Sequence, residues 1–130
     1  MRFSDVEGDA IGFLVARFEL PASLRVPSPR PPEFYRLYGT GGDTMNRALD
    51  APQLTVDAWA EDDEVARRMA DDARMAFLDR RGELPLWRRV EATSPYFAPD
   101  PETETPVYRF TVRARVRATR RQTTPAPAGG

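Results

Sequence analysis

The segment from residue 107 to about 118 constrains the fold more than any other. Tyr108, Phe110, Val112, Ala114, Val116 and Ala118 occupy one set of alternating positions; Val107, Arg109, Thr111, Arg113, Arg115 and Arg117 occupy the other. A period of two is the signature of a strand. One face is apolar and the other carries four arginines, so the strand must belong to a sheet with a core on one side. About 12 residues at strand rise extend ~40 Å. A chain of 130 residues has a radius of gyration of only ~14 Å as a globule, so this strand must cross the whole domain or project from it.

The other elements follow from the same periodicity arguments. Residues 4–18 carry apolar groups at spacings of three and four (Val6, Ala10, Phe13, Leu14, Phe18), which predicts a helix capped by Ser4 or Asp5 and ended by Pro21. Residues 23–26 read as a short strand. Pro27, Pro29, Pro31 and Pro32 then forbid helix and interior strand alike and predict a rigid surface connector. Residues 33–38 are aromatic-rich and read as a strand, and Gly39-Thr40-Gly41-Gly42-Asp43 reads as a turn or open loop. In residues 52–60, Leu54, Val56, Ala58 and Ala60 alternate with Thr55, Asp57 and Trp59, which predicts a central strand whose second face is covered by something polar.

A second helix is expected over 62–80. Glu61, Asp62, Asp63 and Glu64 suit its N-terminus, Val65, Ala66, Met69, Ala70, Ala73, Ala76 and Phe77 form its apolar stripe, and Gly82 stops it. Asp63/Arg67 and Glu64/Arg68 stand in the order that favours i,i+4 ion pairs. Residues 86–93 read as a strand, the proline-rich 94–105 as a long loop, and the chain after Arg121 as a disordered tail (122–130), leaving a single domain over 1–121. No strand–helix–strand unit recurs. The expected class is therefore α+β: a small mixed or antiparallel sheet of about four to five strands with two helices packed on one face.

Composition narrows the chemistry. The chain has no His and no Cys, and all 19 basic residues are Arg. Thiolate nucleophiles, imidazole catalysis, Cys/His zinc sites and Schiff-base lysines are excluded. With 20 acidic residues the net charge is −1, which gives no global nucleic-acid footprint. No stretch approaches the ~20 apolar residues of a membrane helix, and the first residues lack the order of a signal peptide, so a cytoplasmic or particle-borne protein is expected. The glycines at 39–42 lack the lysine and following helix of a phosphate loop. The acids at 61–64 point in different directions at a helix start, which suits capping better than a metal site. No catalytic residue, cofactor or metal is assigned.

Interaction surfaces are the remaining candidates. Arg109, Arg113, Arg115 and Arg117 share one strand face at a spacing of ~6.7 Å for neighbours two apart, where like charges repel by ~0.6 kcal/mol in water. One reading is a charged edge strand kept from aggregation. The others are docking on an acidic surface, including another copy of this chain, and contact with a nucleic-acid backbone. Trp59 and Asp57 on the second face of the central strand read either as an interface or as groups covered by a loop of their own chain. Asp62, Asp63 and Glu64 offer an acidic counterpart.

Several segments together resemble a known family. The N-terminal helix opens Asp5-Val6-Glu7, and a Phe34-to-Tyr38 strand runs into Gly41-Gly42. The strand from Pro52 to Ala60 leads at once into a helix with Ala66, Met69 and Ala70. A loop with Pro95 and Pro99 precedes the closing strand Pro106-Val107-Tyr108-Arg109-Phe110-Thr111-Val112. Over roughly residues 5–118 this order resembles the tail terminator (tail completion) proteins of long-tailed, siphovirus-type phages of actinobacterial hosts. The resemblance implies a structural virion protein, not an enzyme, made in the host cytoplasm. It would form a ring, usually of six copies, at the head–tail junction, end polymerisation of the tail tube and offer a surface to the neck. Its partners would be other copies of itself, the tail tube protein and a neck or head-completion protein, and in an alternative arrangement the arginines face DNA in the ring lumen. Head-completion and neck proteins share this size and style, and a small nucleic-acid-binding module using the arginine face is the alternative outside the particle. The 27–32 connector departs from the family pattern, so the resemblance does not dictate how the first two strands pair.

Overall fold

The computed structural model describes residues 6–44, 49–80 and 82–117, with side chains described outside 41–50. The elements in chain order are α1 (Val6–Phe18), β1 (Ala22–Ser23), β2 (Phe34–Thr44), β3 (Leu49–Trp59), α2 (Asp63–Asp79), β4 (Trp87–Ala92), β5 (Tyr96–Phe97) and β6 (Val107–Arg117). The strands form one sheet in the order β1-β2-β3-β6-β4, with β5 also on β6. β1 runs parallel to β2 and every other pairing is antiparallel, so the sheet is mixed. This is an α+β fold of two helices and six strands.

Alternation in β6 sorts its side chains as its sequence requires. Phe110, Val112, Ala114 and Val116 are buried with Leu54, Val56 and Ala58 of β3 and Tyr35 and Leu37 of β2, beneath Ala10, Phe13 and Leu14 of α1 and Ala66, Met69, Ala70, Ala73, Ala76 and Phe77 of α2. Both helices therefore lie on one face of the sheet. Alanines along α2 bring its backbone close enough for Tyr35 Oη to donate to the Met69 carbonyl at 2.9 Å. Burial of that phenol raises its pKa well above the ordinary tyrosine range. Phe77 joins the layers, with its ring 5.1 Å from Phe13 and 5.9 Å from Trp87, against which it stacks.

The acidic start of α2 works as a cap. Asp62 is the N-cap, and its carboxylate accepts from the Val65 N–H at 3.2 Å. At the other end the Arg80 guanidinium donates to the Phe77 and Leu78 carbonyls, and Gly82 takes φ 82°, a conformation that costs glycine little. The surface ion pairs differ from the expected ones. Arg67 bonds Glu64 at 2.6 Å and reaches Asp71 at 3.6 Å, so one arginine bridges two turns in place of separate Asp63/Arg67 and Glu64/Arg68 pairs.

Four expectations need correction. Gly39–Asp43 is not a turn: β2 continues through it to Thr44 because β3 begins at Leu49, earlier than periodicity indicated, and pairs with it beyond a bulge between Gly39 and Gly41. Gly39 is there for a close approach. Its N–H donates to Glu7 Oε2 at 2.6 Å, and a Cβ would lie 3.1 Å from that oxygen. Second, β6 is an interior strand, flanked by β3 on one side and by β4 and β5 on the other. Third, the 94–105 loop contains β5, and fourth, the strand expected at 23–26 is confined to Ala22–Ser23, where Tyr35 N–H donates to the Pro21 carbonyl at 2.9 Å. Pro52 is tolerated inside the sheet because the β3–β6 ladder skips Ala51 and Pro52. The proposed caps Ser4 and Asp5 and the C-terminal tail lie outside the described residues.

Candidate interaction face

The face of the sheet turned away from the helices is built in cross-strand rows. Phe34, Trp59 and Val107 form the first row, Arg36, Asp57 and Arg109 the second, and Tyr38, Thr55 and Thr111 the third. Further along β6, Arg113 lies between Gln53 and Glu91, and Arg115 lies directly opposite Arg88 of β4. Arg117 ends the strand opposite Leu49.

The first two rows are closed by the protein itself. Trp59 is 6% exposed. It stacks on Phe34 at 5.3 Å, and the Arg30 guanidinium from the proline connector lies 5.5 Å from its ring centroid. Its indole N–H is buried without a hydrogen-bond acceptor among the described residues. Asp57 is fully buried. Arg109 grips it through two bonds, Nε to Oδ1 at 2.7 Å and Nη2 to Oδ2 at 3.2 Å, and Arg36 approaches Oδ2 at 3.7 Å. Such a forked, charge-assisted pair keeps the Asp57 charge tolerable out of water. The bond to Asp57 raises the pKa of Arg109 beyond its already high ordinary value. Arg36 in turn lies 4.4 Å from the Tyr38 ring centroid and donates from Nε to the Leu24 carbonyl at 3.1 Å. The second face of the central strand is thus covered by arginines and by the proline connector. Trp59 and Asp57 are groups covered by their own chain.

The far half of the face is different. Arg113 donates to Gln53 Oε1 at 2.7 Å, an uncharged acceptor. Arg88 and Arg117 are exposed and Arg115 is half-buried. Thr93 ties the β4 end to β6 through a 2.9 Å bond from the Thr111 N–H to its hydroxyl, and its own N–H donates to the Thr111 carbonyl. Arg74 of α2 braces this corner from the helix side, donating to the Ala92 and Thr93 carbonyls. A shallow depression between the strands here is lined by Gln53, Glu91, Thr93, Thr111 and Arg113.

The candidate residues therefore separate into three groups. Trp59, Asp57 and Arg109 form an internal cluster. Arg113, Arg115 and Arg117 form a surface cluster, joined by Arg88. Asp62, Asp63 and Glu64 are exposed at the start of α2, in the helix layer. That start follows the Trp59 end of β3, which pairs with Val107, whereas Arg117 pairs with Leu49 at the opposite end of the same ladder. The acidic and basic groups thus stand on opposite layers and at opposite ends. Arg88 was not singled out from the sequence, although period two places it opposite the buried Trp87 and so on the arginine face.

No family model matches the chain, and no curated protein matches it at a significant level. None of the described helices is long and apolar enough to cross a membrane.

Proposed function

We propose that the protein is a structural component of a phage particle, a tail-terminator-type subunit that forms a ring at the head-proximal end of the tail tube. The reading rests on the order of segments over residues 5–118. It is supported by the α+β architecture, a sheet with two helices packed on it, which agrees with the small unit of a sheet and flanking helices that the resemblance implies. The observation that carries it furthest is the polar separation of charge. A ring built head to tail needs two different complementary patches on each subunit, and this chain offers an acidic helix start and a basic strand end on opposite layers.

The test is direct. Full-length protein is examined by native mass spectrometry and negative-stain imaging, alone and with purified tail tubes. Rings of about six copies, alone or seated on one end of the tubes, are expected. A particle map that puts the chain away from the head–tail junction overturns the reading, and a map that puts it on the head side of the neck identifies a head-completion protein instead.

A further inference from the structure

Charge along the chain is divided more sharply than its sum indicates. All 20 acidic residues lie before Thr105. After that point come Arg109, Arg113, Arg115, Arg117, Arg120 and Arg121, and no acid. The fold spreads Arg109, Arg113, Arg115 and Arg117 of this run onto one surface. Across the described side chains of the open sheet face, Arg36, Arg88, Arg109, Arg113, Arg115 and Arg117 stand against two acids, Asp57 and Glu91. Asp57 is spent on Arg36 and Arg109. Glu91 is the remaining counter-charge, and Arg113 turns to Gln53 for its hydrogen bond.

The placement of Arg88 directly opposite Arg115 in the ladder is the informative pairing. Like charges facing each other across a ladder destabilise a sheet. Folding does not require the pair, because both side chains are on the open face and neither enters the core. A partner that carries negative charge converts this local repulsion into binding. Within one subunit the chain's own acids at the start of α2 do not meet these arginines, because they stand in the helix layer and at the opposite end of the β3–β6 ladder.

We propose that the far half of the open sheet face, centred on Arg88, Arg113, Arg115 and Arg117, binds the phosphate backbone of a nucleic acid without reading its sequence. The geometry fits a linear polyanion. Arginines alternate along β6 at ~6.7 Å, a straight row along an exposed sheet surface in place of a pocket. Guanidinium forks match phosphate oxygens bidentately, which ammonium groups do not. The acids of α2 lie behind the sheet, in the helix layer, so an approaching strand meets the basic side first. The assignment does not depend on ring formation and holds for a single subunit.

The experiment is fluorescence anisotropy of the full chain with labelled random-sequence DNA, double- and single-stranded, between about 50 and 200 mM salt. Wild type is expected to bind both forms, with log affinity falling linearly in log salt. The triple variant Arg113→Gln, Arg115→Gln, Arg117→Gln should lose at least tenfold in affinity at the lowest salt, and each change should flatten the slope by about 1. The variant Arg67→Gln, Arg68→Gln, on the helix layer, should bind as wild type does. Circular dichroism checks that each variant is folded. Absence of binding at the lowest salt overturns the proposal, as does equal binding by the triple variant. Competition by poly-glutamate as effective as by DNA at equal charge overturns it in favour of an acidic protein surface. Salt-sensitive self-association that the triple variant abolishes, with no DNA binding, overturns it in favour of a second copy. Failure here leaves the ring reading standing, since that is decided by imaging.

Discussion

Removing Arg109 and removing the charge of Asp57 are not equivalent, although the two make one ion pair. Asp57 is fully buried, whereas the Arg109 side chain is 33% exposed. Arg109→Ala strands a carboxylate out of water with only the more distant Arg36 beside it, and should destabilise by about 3–5 kcal/mol. Asp57→Asn releases guanidiniums that can reach solvent and should cost only about 1–2 kcal/mol. Urea unfolding of both variants tests the asymmetry, and equal losses would contradict it. A second residue-scale effect concerns the 94–105 loop. Thr103 donates its hydroxyl at 2.8 Å and its N–H at 2.9 Å to Asp100 Oδ2, and these bonds lower the Asp100 pKa. A depressed carboxylate favours the ordered loop above its ordinary titration range and loses that support as pH falls through the lowered value. Thr103→Val should move the Asp100 titration upward toward an unperturbed aspartate, read by carbon NMR of the carboxyl group.

At the scale of elements, what the sequence spacing specified and what contacts specified can be told apart in α2. Its apolar stripe and acidic start were legible because a helix repeats every 3.6 residues whatever surrounds it. Asp62→Ala removes the carboxylate that receives the Val65 N–H and should cost about 1 kcal/mol, visible as a lower melting temperature. By contrast, nothing in the sequence distinguishes Arg74 from the other arginines of α2. Its three bonds to the Ala92 and Thr93 carbonyls exist only because the chain returns 18 residues later as β4. Arg74→Met keeps the aliphatic stem and removes the donors. Faster amide exchange is expected over residues 91–97, with α2 itself unchanged. Exchange that rises equally in α2 would mean that Arg74 supports the helix and not the sheet corner. The extension of β2 through Gly39–Thr44 was hidden for a related reason. Glycine-rich sequence normally marks a turn, and only pairing with residues 50–54 makes a strand of it.

For the whole molecule, the decisive arrangement is a sheet with a dry face under two helices and a charged face in the open. The two faces of β6 should therefore respond oppositely to charge. Ala114 is 2% exposed, and Ala114→Arg forces a guanidinium between the sheet and the helix layer, at a cost of several kcal/mol that should unfold the domain at ordinary temperatures. Arg115→Ala, one residue along, should change stability by no more than ~0.5 kcal/mol and should be slightly favourable, since it removes a like-charge neighbour of Arg88. Thermal unfolding followed by circular dichroism compares them. Comparable destabilisation by both variants would mean that the arginine side of β6 is as closely packed as the core side.

The sequence by itself determined the sidedness of this protein. Alternation in residues 107–117 and in 52–59, and the 3.6-residue stripe of 63–79, depend on backbone geometry alone, so the faces that must be buried were readable without coordinates. Tertiary structure decided which charges remain available. Arg109 and Arg113 are two turns of the same alternation and indistinguishable in the sequence. One faces Asp57 across the ladder and is held in a forked ion pair; the other lies between Gln53 and Glu91 and gives its hydrogen bond to the uncharged Gln53. Register between strands far apart in the chain sets that difference, because an ion pair is decided by which residue lies opposite, and periodicity within a single strand carries no information about its neighbour.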